Sequence, residues 1–134
     1  MALKRVLDTH ALIWYLEGNP RLGNAAKVAM DDPSSAMILP IIARAEAVDI
    51  VRKGRTKIPT ATDLLNDVSG EPRIEIYPLT YGVLQQSLAA IIVPEMHDRL
   101  IVATALHLQS SGHQIELLTK DSDIVTAALV PIVW

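Results

Sequence analysis

The sequence predicts a three-layer α/β/α fold, in which a mainly parallel central sheet of about five strands is covered by helices on both faces. Short apolar runs typical of strands alternate with amphipathic helical segments along the whole chain. No internal repeat, low-complexity tract or linker interrupts this alternation. The 134 residues are enough for one core and too few for two ordinary domains, so we expect a single domain over residues 1–134.

The first half of the chain predicts two strands and four helices. Val6 and Leu7 suit a strand that is buried on both faces, and the spacing then changes to a helical one. Gly18 and Pro20 end the first helix, Pro40 ends the second strand, and Gly54 ends the helix that follows it. The predicted elements are a strand at 4–7, helices at 10–16 and 24–30, a strand at 36–39, and helices at 42–52 and 61–68.

The second half predicts three further strands. Ile-Glu-Ile-Tyr at 74–77 alternates between apolar and polar residues, which favours an edge strand. The run at 90–94 is ambiguous, because its periodicity fits neither a strand nor a helix. The predicted elements are a strand at 74–77, helices at 81–89 and 98–111, a strand at 115–119, a helix at 122–128 and a strand at 130–134.

Composition limits the possible functions. The chain has no cysteine, which excludes disulfides, thiolate metal sites and cysteine nucleophiles, and fits a cytoplasmic protein. The net charge of −3 means that any nucleic-acid binding needs a local patch or a bound cation. Hydrophobic residues make up 50% and the mean hydropathy is +0.28, so we expect some apolar surface to meet a partner. No apolar run is long enough to span a membrane.

Four acids occupy equivalent positions in the predicted topology. Asp8 and Asp121 follow strands, Glu46 lies in the helix after the second strand, and Asp98 begins the long helix before the fourth. These segments meet at the carboxyl edge of a parallel sheet, where ligands bind in open α/β folds. Each acid also has a structural interpretation: a helix cap for Asp8 or Asp121, a dipole partner for Asp98, and an ion pair for Glu46. Asp123 competes with Asp121 for any role.

Convergence of four carboxylates favours a bound cation. Like charges at ~4–6 Å raise one another's pKa and destabilise the fold. A hard divalent cation such as Mg²⁺ removes this repulsion, prefers oxygen ligands, and supports phosphate chemistry. The absence of cysteines and of paired histidines at ligand spacing argues against zinc.

The four acids lie in motifs whose order resembles that of a PIN domain, in particular the VapC-type toxins of toxin–antitoxin pairs. The motifs are Leu-Asp-Thr-His-Ala-Leu at 7–12, Glu46 followed by Arg-Lys-Gly-Arg at 52–55, His-Asp-Arg-Leu-Ile-Val-Ala-Thr-Ala at 97–105, and Leu-Thr-Lys-Asp at 118–121. The third motif is fairly specific, and the resemblance covers nearly the whole chain. Two departures affect the groove: residues 41–45 lack the Ser common in relatives, and Glu-Met-His at 95–97 replaces Asp-Pro-Phe.

The resemblance implies a metal-dependent endoribonuclease with Mg²⁺ or Mn²⁺ held by the acidic cluster. The implied catalytic and metal-binding residues are Asp8, Glu46, Asp98 and Asp121. Thr9 and Thr119 match hydroxyl positions that orient an acid or a water, and we expect Thr9 to orient Asp8. The implied partners are an RNA substrate, a cognate antitoxin that inserts into the groove, and a second copy in a homodimer.

Several residues near the acids have two open interpretations. Arg52, Lys53 and Arg55 form the densest basic run and either contact RNA phosphates or form a solvated helix end. Arg99 either meets a phosphate or a carboxylate, or forms a structural ion pair. His10 and His97 lie beside matched acids and either move protons or are bystanders. Trp14 and Tyr15, on the first predicted helix, are expected at a partner surface and in the core, respectively.

Two other functional classes remain as alternatives. A catalytically silent PIN-fold protein would keep the fold and bind another protein. A receiver-like phosphoacceptor module would also bind Mg²⁺ at a sheet edge, but it needs an Asp at the end of a middle strand. The second predicted strand ends instead in Leu39 and Pro40, which disfavours that class.

Overall fold

The computed structural model describes residues 3–134, and its architecture is the predicted three-layer α/β/α fold with a five-stranded sheet. Every strand pairs parallel to its neighbours. The elements, in chain order, are β1 (Leu3–Leu7), α1 (Thr9–Glu17), α2 (Asn24–Asp31), β2 (Met37–Pro40), α3 (Ile41–Arg52), α4 (Ala61–Ser69), β3 (Ile74–Tyr77), α5 (Tyr81–Ser87), α6 (Met96–Ser110), β4 (Gln114–Leu118), α7 (Ser122–Ala127) and β5 (Ile132–Val133).

The strand order is β3-β2-β1-β4-β5, so β1 lies in the centre and β3 lies at an edge, as its alternating sequence predicts. The chain winds outward in one direction from β1 to β3 and then crosses back to place β4 on the other side of β1. This reversal makes the gap between the ends of β1 and β4 the topological switch point, where such folds bind ligands. The residues after β1 and β4 therefore lie at the position best placed to form a site.

The central strands are buried as their sequences predict. Val6 and Leu7 of β1 have no exposed surface, and all four residues of β2 are buried. Helix α3 packs against α1, α4 and α6, while α6 also contacts β1 and β4. A core of this kind holds the strand ends rigidly, because aliphatic side chains at native density leave little room for movement.

Three boundaries differ from the prediction by two residues, while the others agree within one residue. Helix α6 starts at Met96 instead of residue 98, because the carboxylate of Glu95 accepts from the His97 backbone and caps the helix two residues earlier. Helix α5 ends at Ser87, and the ambiguous run at 90–94 forms turns. The last strand is short, covering Ile132–Val133 only. Among residues 3–134, no helix is both long enough and apolar enough to cross a membrane.

Candidate active site

Asp8 lies at the junction of β1 and α1 and is fixed from two sides. Its Oδ1 accepts a hydrogen bond of 2.7 Å from the Ala11 backbone N–H, and its Oδ2 accepts one from the Thr119 hydroxyl. The residue is therefore the N-cap of α1 and is only 7% exposed. Burial raises the pKa of this carboxyl, and the hydrogen bonds from Thr119 and Ala11 partly oppose that shift.

Thr119 links the two acids that flank the switch point. It is fully buried, donates its hydroxyl to Asp8, and accepts a 3.1 Å hydrogen bond from the Asp121 backbone N–H. Asp121 in turn caps α7, with its Oδ1 accepting from the backbones of Asp123 and Ile124 at 3.1 and 3.0 Å. Asp123 contributes its amide to this cap, while its own side chain is exposed and lies outside the acid-lined cavity described below.

Glu46 reaches the same edge from the second turn of α3. The hydroxyl of Thr9, which is 2% exposed, donates to Glu46 Oε1 and fixes the direction of the carboxylate. This pairing differs from the expectation that Thr9 orients Asp8. The two threonines divide the work: Thr9 holds Glu46, and Thr119 holds Asp8.

Asp98 enters from the first turn of α6 and has a different environment. Within residues 3–134, no residue donates a hydrogen bond to the Asp98 carboxylate. Its pKa is raised to about 7, first by burial and then by the negative charges of Asp121, Glu95, Glu46 and Asp8. All four other carboxylates of the cluster therefore raise the pKa of Asp98.

Glu95 and His97 extend the cluster on the α6 side. His97 Nδ1 lies 2.7 Å from Glu95 Oε1 and 3.8 Å from Glu46 Oε2. One ligand atom from each of Glu46, Glu95 and His97 lies within 4.8 Å of the others, a spacing that a single cation could bridge. The hydrogen bond to Glu95 is the main reason why the pKa of His97 is raised.

The carboxylates share one cavity of about 410 Å³, which we call the acid pocket. Its lining consists of five acids, one lysine and four other residues: Asp8, Glu46, Glu95, Asp98, Asp121, Lys120, Thr9, His10, Trp14 and Trp134. The four predicted acids thus line one cavity from four different elements of the fold. Within residues 3–134, Glu46 is the one member of this set that belongs to a trio of ligand atoms within 4.8 Å of one another.

A larger cleft of about 1060 Å³ adjoins the acid pocket, and we call it the basic groove. The two cavities share His10, Trp14 and Glu46. Four cationic side chains line the groove, Arg21, Lys53, Arg55 and Lys57, and they outnumber its three acids, Glu17, Glu46 and Asp49.

The sequence of residues 5–129 matches the family model described as "PIN domain". This chain belongs to the PIN domain family. No curated protein sequence gives a significant match. Among solved structures, similar folds are a VapBC2 complex from Rickettsia felis bound to a promoter DNA fragment, a toxin–antitoxin complex from Klebsiella pneumoniae, and FitAcB from Neisseria gonorrhoeae.

These structures resemble the PIN domain over nearly its whole length. The Rickettsia felis chain is 15% identical with a TM-score of 0.68, and 96% of each chain is covered. The Klebsiella pneumoniae chain is 20% identical with a TM-score of 0.68, covering 100% of this chain and 97% of that one. The Neisseria gonorrhoeae chain is 19% identical with a TM-score of 0.64, covering 96% and 95%. At these identities the similarity establishes the fold.

The donor set of this PIN domain fits a hard divalent cation. Its acid pocket concentrates carboxylate oxygens, which Mg²⁺ and Mn²⁺ prefer. The raised pKa of Asp98 has the unbalanced negative charge as a cause, and a cation would relieve it. Within residues 3–134, none of Asp8, Asp98 and Asp121 forms an ion pair with a lysine or arginine, so the chain itself leaves that charge unbalanced.

The predicted phosphate contacts divide into two groups in the PIN domain structure. Lys53 and Arg55 line the basic groove, although Lys53 also pairs with Asp49 at 2.8 Å. Arg52 and Arg99 line neither the groove nor the acid pocket. Arg99 donates to the carbonyls of Val93 and Pro94 at 2.9 and 2.8 Å, which ties the preceding turn to α6.

Sequence reasoning missed several residues of the site. The family pattern marks Glu95 only as a departure, whereas in the structure it is the N-cap of α6 and pairs with His97. Arg21 and Lys57 lie outside the densest basic run, so charge density alone did not select them. Lys120 and Trp134 join the acid pocket from the last part of the chain, and only the fold brings Trp134 to Trp14.

Proposed function

We propose that this PIN domain is a divalent-metal-dependent endoribonuclease that hydrolyses RNA phosphodiesters, and that it is the toxin of a toxin–antitoxin pair. The observation that supports this best is the meeting of Asp8, Glu46, Asp98 and Asp121 in one cavity at the switch point of the sheet. Such a concentration of carboxylates destabilises the fold and therefore needs a functional explanation. The similarity in fold to chains of toxin–antitoxin complexes supports the toxin role.

The four acids would hold Mg²⁺ or Mn²⁺. When bound, a divalent cation activates water for attack on the phosphate and neutralises the charge that develops there. The chain contributes by fixing the ligands in advance: Thr119 and Ala11 hold Asp8, and Thr9 holds Glu46. Such supporting hydrogen bonds orient metal ligands and are commonly worth ~10–100-fold in metal affinity or activity.

The basic groove would position the RNA strand. We propose that Lys53 and Arg55 contact backbone phosphates, together with Arg21 and Lys57 from the same groove. Contacts of this kind fix the position of the strand without reading its sequence. They also overcome the net charge of −3, which would otherwise repel RNA.

RNA cleavage by the purified protein tests the proposal. A labelled single-stranded RNA is incubated with the protein in Mg²⁺ or Mn²⁺, and the products are resolved by gel. We expect cleavage that stops in EDTA and falls by at least about 100-fold in Asp8→Asn, which keeps the cap but weakens a ligand. Asp67→Asn, an exposed acid on α4, is the matched control and should cleave normally.

Three results would decide against the proposal. Cleavage that persists in EDTA, or full activity in Asp8→Asn, would exclude a metal-dependent reaction at this site. Intact RNA together with no metal binding by calorimetry would favour the catalytically silent binding module instead.

An antitoxin partner and a cytoplasmic location follow from the same proposal, because the similar chains are described in toxin–antitoxin complexes and the substrate would be cellular RNA. A short reading frame beside the gene would be the natural candidate for the partner. Co-expression with it should yield a stable complex in which RNA cleavage is suppressed. Active enzyme recovered from such a complex at full rate would contradict the assignment.

We also propose a homodimer that forms through the stretch at 79–94. This stretch has no Asp, Glu, Lys, Arg or His, so two copies with a net charge of −3 could meet there without bringing like charges together. Its exposed apolar side chains include Leu88 (76%), Ile91 (67%) and Ile92 (67%). Light scattering should report a dimer, and Leu88→Glu should give a monomer. The matched control Val28→Glu, at a 70% exposed site on α2, should stay dimeric.

A further inference from the structure

Lys120 has an unusual position for a lysine among acids. Five carboxylates line the acid pocket, and Lys120 is the one lysine or arginine among its lining residues. Yet within residues 3–134 its ammonium forms no ion pair with any of the five. It lies instead over the face of Trp14, with Nζ 4.8 Å from the ring centroid. The ring holds the cation at the rim of the pocket without neutralising it.

The ring of Trp14 is itself held by two neighbours. It lies 5.3 Å from the His10 ring and 5.9 Å from the Trp134 ring, which meets it edge to face. Trp134 in turn packs on Gly23, where an added Cβ would come within 2.5 Å of the indole. The cation therefore sits on an aromatic support built from both ends of the chain.

We propose that Lys120 binds a non-bridging oxygen of the RNA phosphate that enters the acid pocket, and that Trp14 is a positioning residue that keeps the ammonium available. This inference rests on the proposed nuclease function. A lysine bound to a neighbouring carboxylate would have to break that pair to meet a phosphate, whereas one resting on a π face does not. Lys120 lies between Thr119 and Asp121, so its backbone is anchored beside the acids.

Such a contact exists both before and during the reaction, so it strengthens binding more than it speeds the chemical step. Lys120→Met should therefore raise KM about tenfold and leave kcat within about threefold. Lys120→Arg should restore most of the affinity, because it restores the charge.

The salt dependence of binding separates a phosphate contact from a structural role. Binding of a fluorescent single-stranded RNA of about 12 nucleotides to the Asp98→Asn protein in Mg²⁺ is measured across a salt series. Adding Lys120→Met to that protein should reduce the slope of log Kd against log salt by about one, as expected for one lost phosphate contact. Lys4→Met, at the amino end of β1, is the control and should leave the slope unchanged.

The positioning role of Trp14 is tested by a double-mutant cycle. Trp14→Leu and Lys120→Met should each raise KM, and the double variant should be no worse than Lys120→Met alone. Trp14→Phe keeps an aromatic face and guards against a folding defect. Fully additive effects of Trp14→Leu and Lys120→Met would refute the positioning role.

The outcomes also separate this inference from the proposed function. If the wild-type protein cleaves RNA but Lys120→Met changes neither KM nor the salt slope, the Lys120 contact is wrong and the nuclease stands. If the wild-type protein neither binds nor cleaves the RNA, both fall.

Discussion

The two sides of the acid pocket are built in different ways. On the strand side, Asp8 and Asp121 both cap helices, and Thr119 joins them, so each carboxylate accepts hydrogen bonds from backbone or hydroxyl donors. On the helix side, Asp98 accepts none from residues 3–134, and its pKa is raised to about 7. The chain thus fixes Asp8 and Asp121 with its own hydrogen-bond donors and leaves the Asp98 carboxylate without one among residues 3–134.

This difference suggests how stability and function are divided. Caps and buried hydrogen bonds on the strand side stabilise the fold whether or not a ligand is present. The helix side carries a repulsion that only a proton or a cation relieves. We therefore expect changes on the strand side to lower the free energy of unfolding. Changes on the helix side should lower activity while raising the stability of the metal-free protein.

Asp98→Asn should show the largest effect. Removing this charge should reduce RNA cleavage by at least about 100-fold, because a metal ligand is weakened. The same change should stabilise the metal-free protein by on the order of 1 kcal/mol, because the repulsion is removed. Cleavage assays and thermal melting in EDTA measure the two effects. A variant that loses both activity and stability would contradict the proposed difference between the two sides of the acid pocket.

Thr119→Val should destabilise the protein, whereas Asp98→Asn should stabilise its metal-free form. The buried Asp8 carboxylate would lose its hydroxyl donor and the Asp121 amide would lose its acceptor, at a cost of about 1–3 kcal/mol. Chemical denaturation measures this cost, and the exposed Thr126→Val on α7 is the matched control. Thr9→Val should cost less, because Glu46 is only partly buried and water can replace the hydroxyl. Equal losses at Thr9 and Thr119 would contradict this ranking.

The stability of the metal-free protein should rise as the pH falls from about 8.5 to about 5.5. The pKa of Asp98 in the folded state is about 7, above its ordinary 3.8, so its contribution is complete below 3.8 and is lost as the pH rises through 7. The pKa values of His97 and Asp8 are also raised, which gives the same sign. Melting curves in EDTA measure the slope, which Asp98→Asn should flatten. A stability that increases with pH would disprove this assignment.

Glu95→Gln should show the smallest effect. Without the Glu95 carboxylate, the pKa of His97 should fall toward 6.5, and cleavage should change only a few-fold because Glu95 lies at the exposed rim. An NMR titration of the histidines measures the shift. A loss of activity as large as that of Asp98→Asn would instead make Glu95 a full member of the metal site.

Sequence patterns predict the fold well because the type and order of its elements depend on residues that are close together in the chain. The apolar runs of β1 and β2, the alternation in β3 and the stops at Gly18 and Pro40 give each element its type and order. The PIN family resemblance is confirmed by the family match and the folds that are similar. Helix α6 starts earlier than predicted because Glu95 acts as a cap, a role that the apolar pattern does not reveal.

The site is harder to predict because its contacts join distant segments. The acids could be selected by their shared edge, yet the donor to Asp8 proved to be Thr119, 111 residues away, and not the adjacent Thr9. The contact between the Lys120 ammonium and the Trp14 ring likewise depends on tertiary packing. Local spacing selects which residue types reach the edge, and the close packing of the sheet decides which of them touch.

The hydrogen bond between Thr119 and Asp8 also determines how late in synthesis the acid pocket can form. Asp8 leaves the ribosome 111 residues before Thr119, its hydroxyl donor, and Asp121 follows Thr119. The central strand β1 must also wait for β4 to complete one of its two edges. A protein that we propose to cut RNA therefore emerges beside messenger and ribosomal RNA with its pocket incomplete, and it becomes competent only after residues 119–121 have been made.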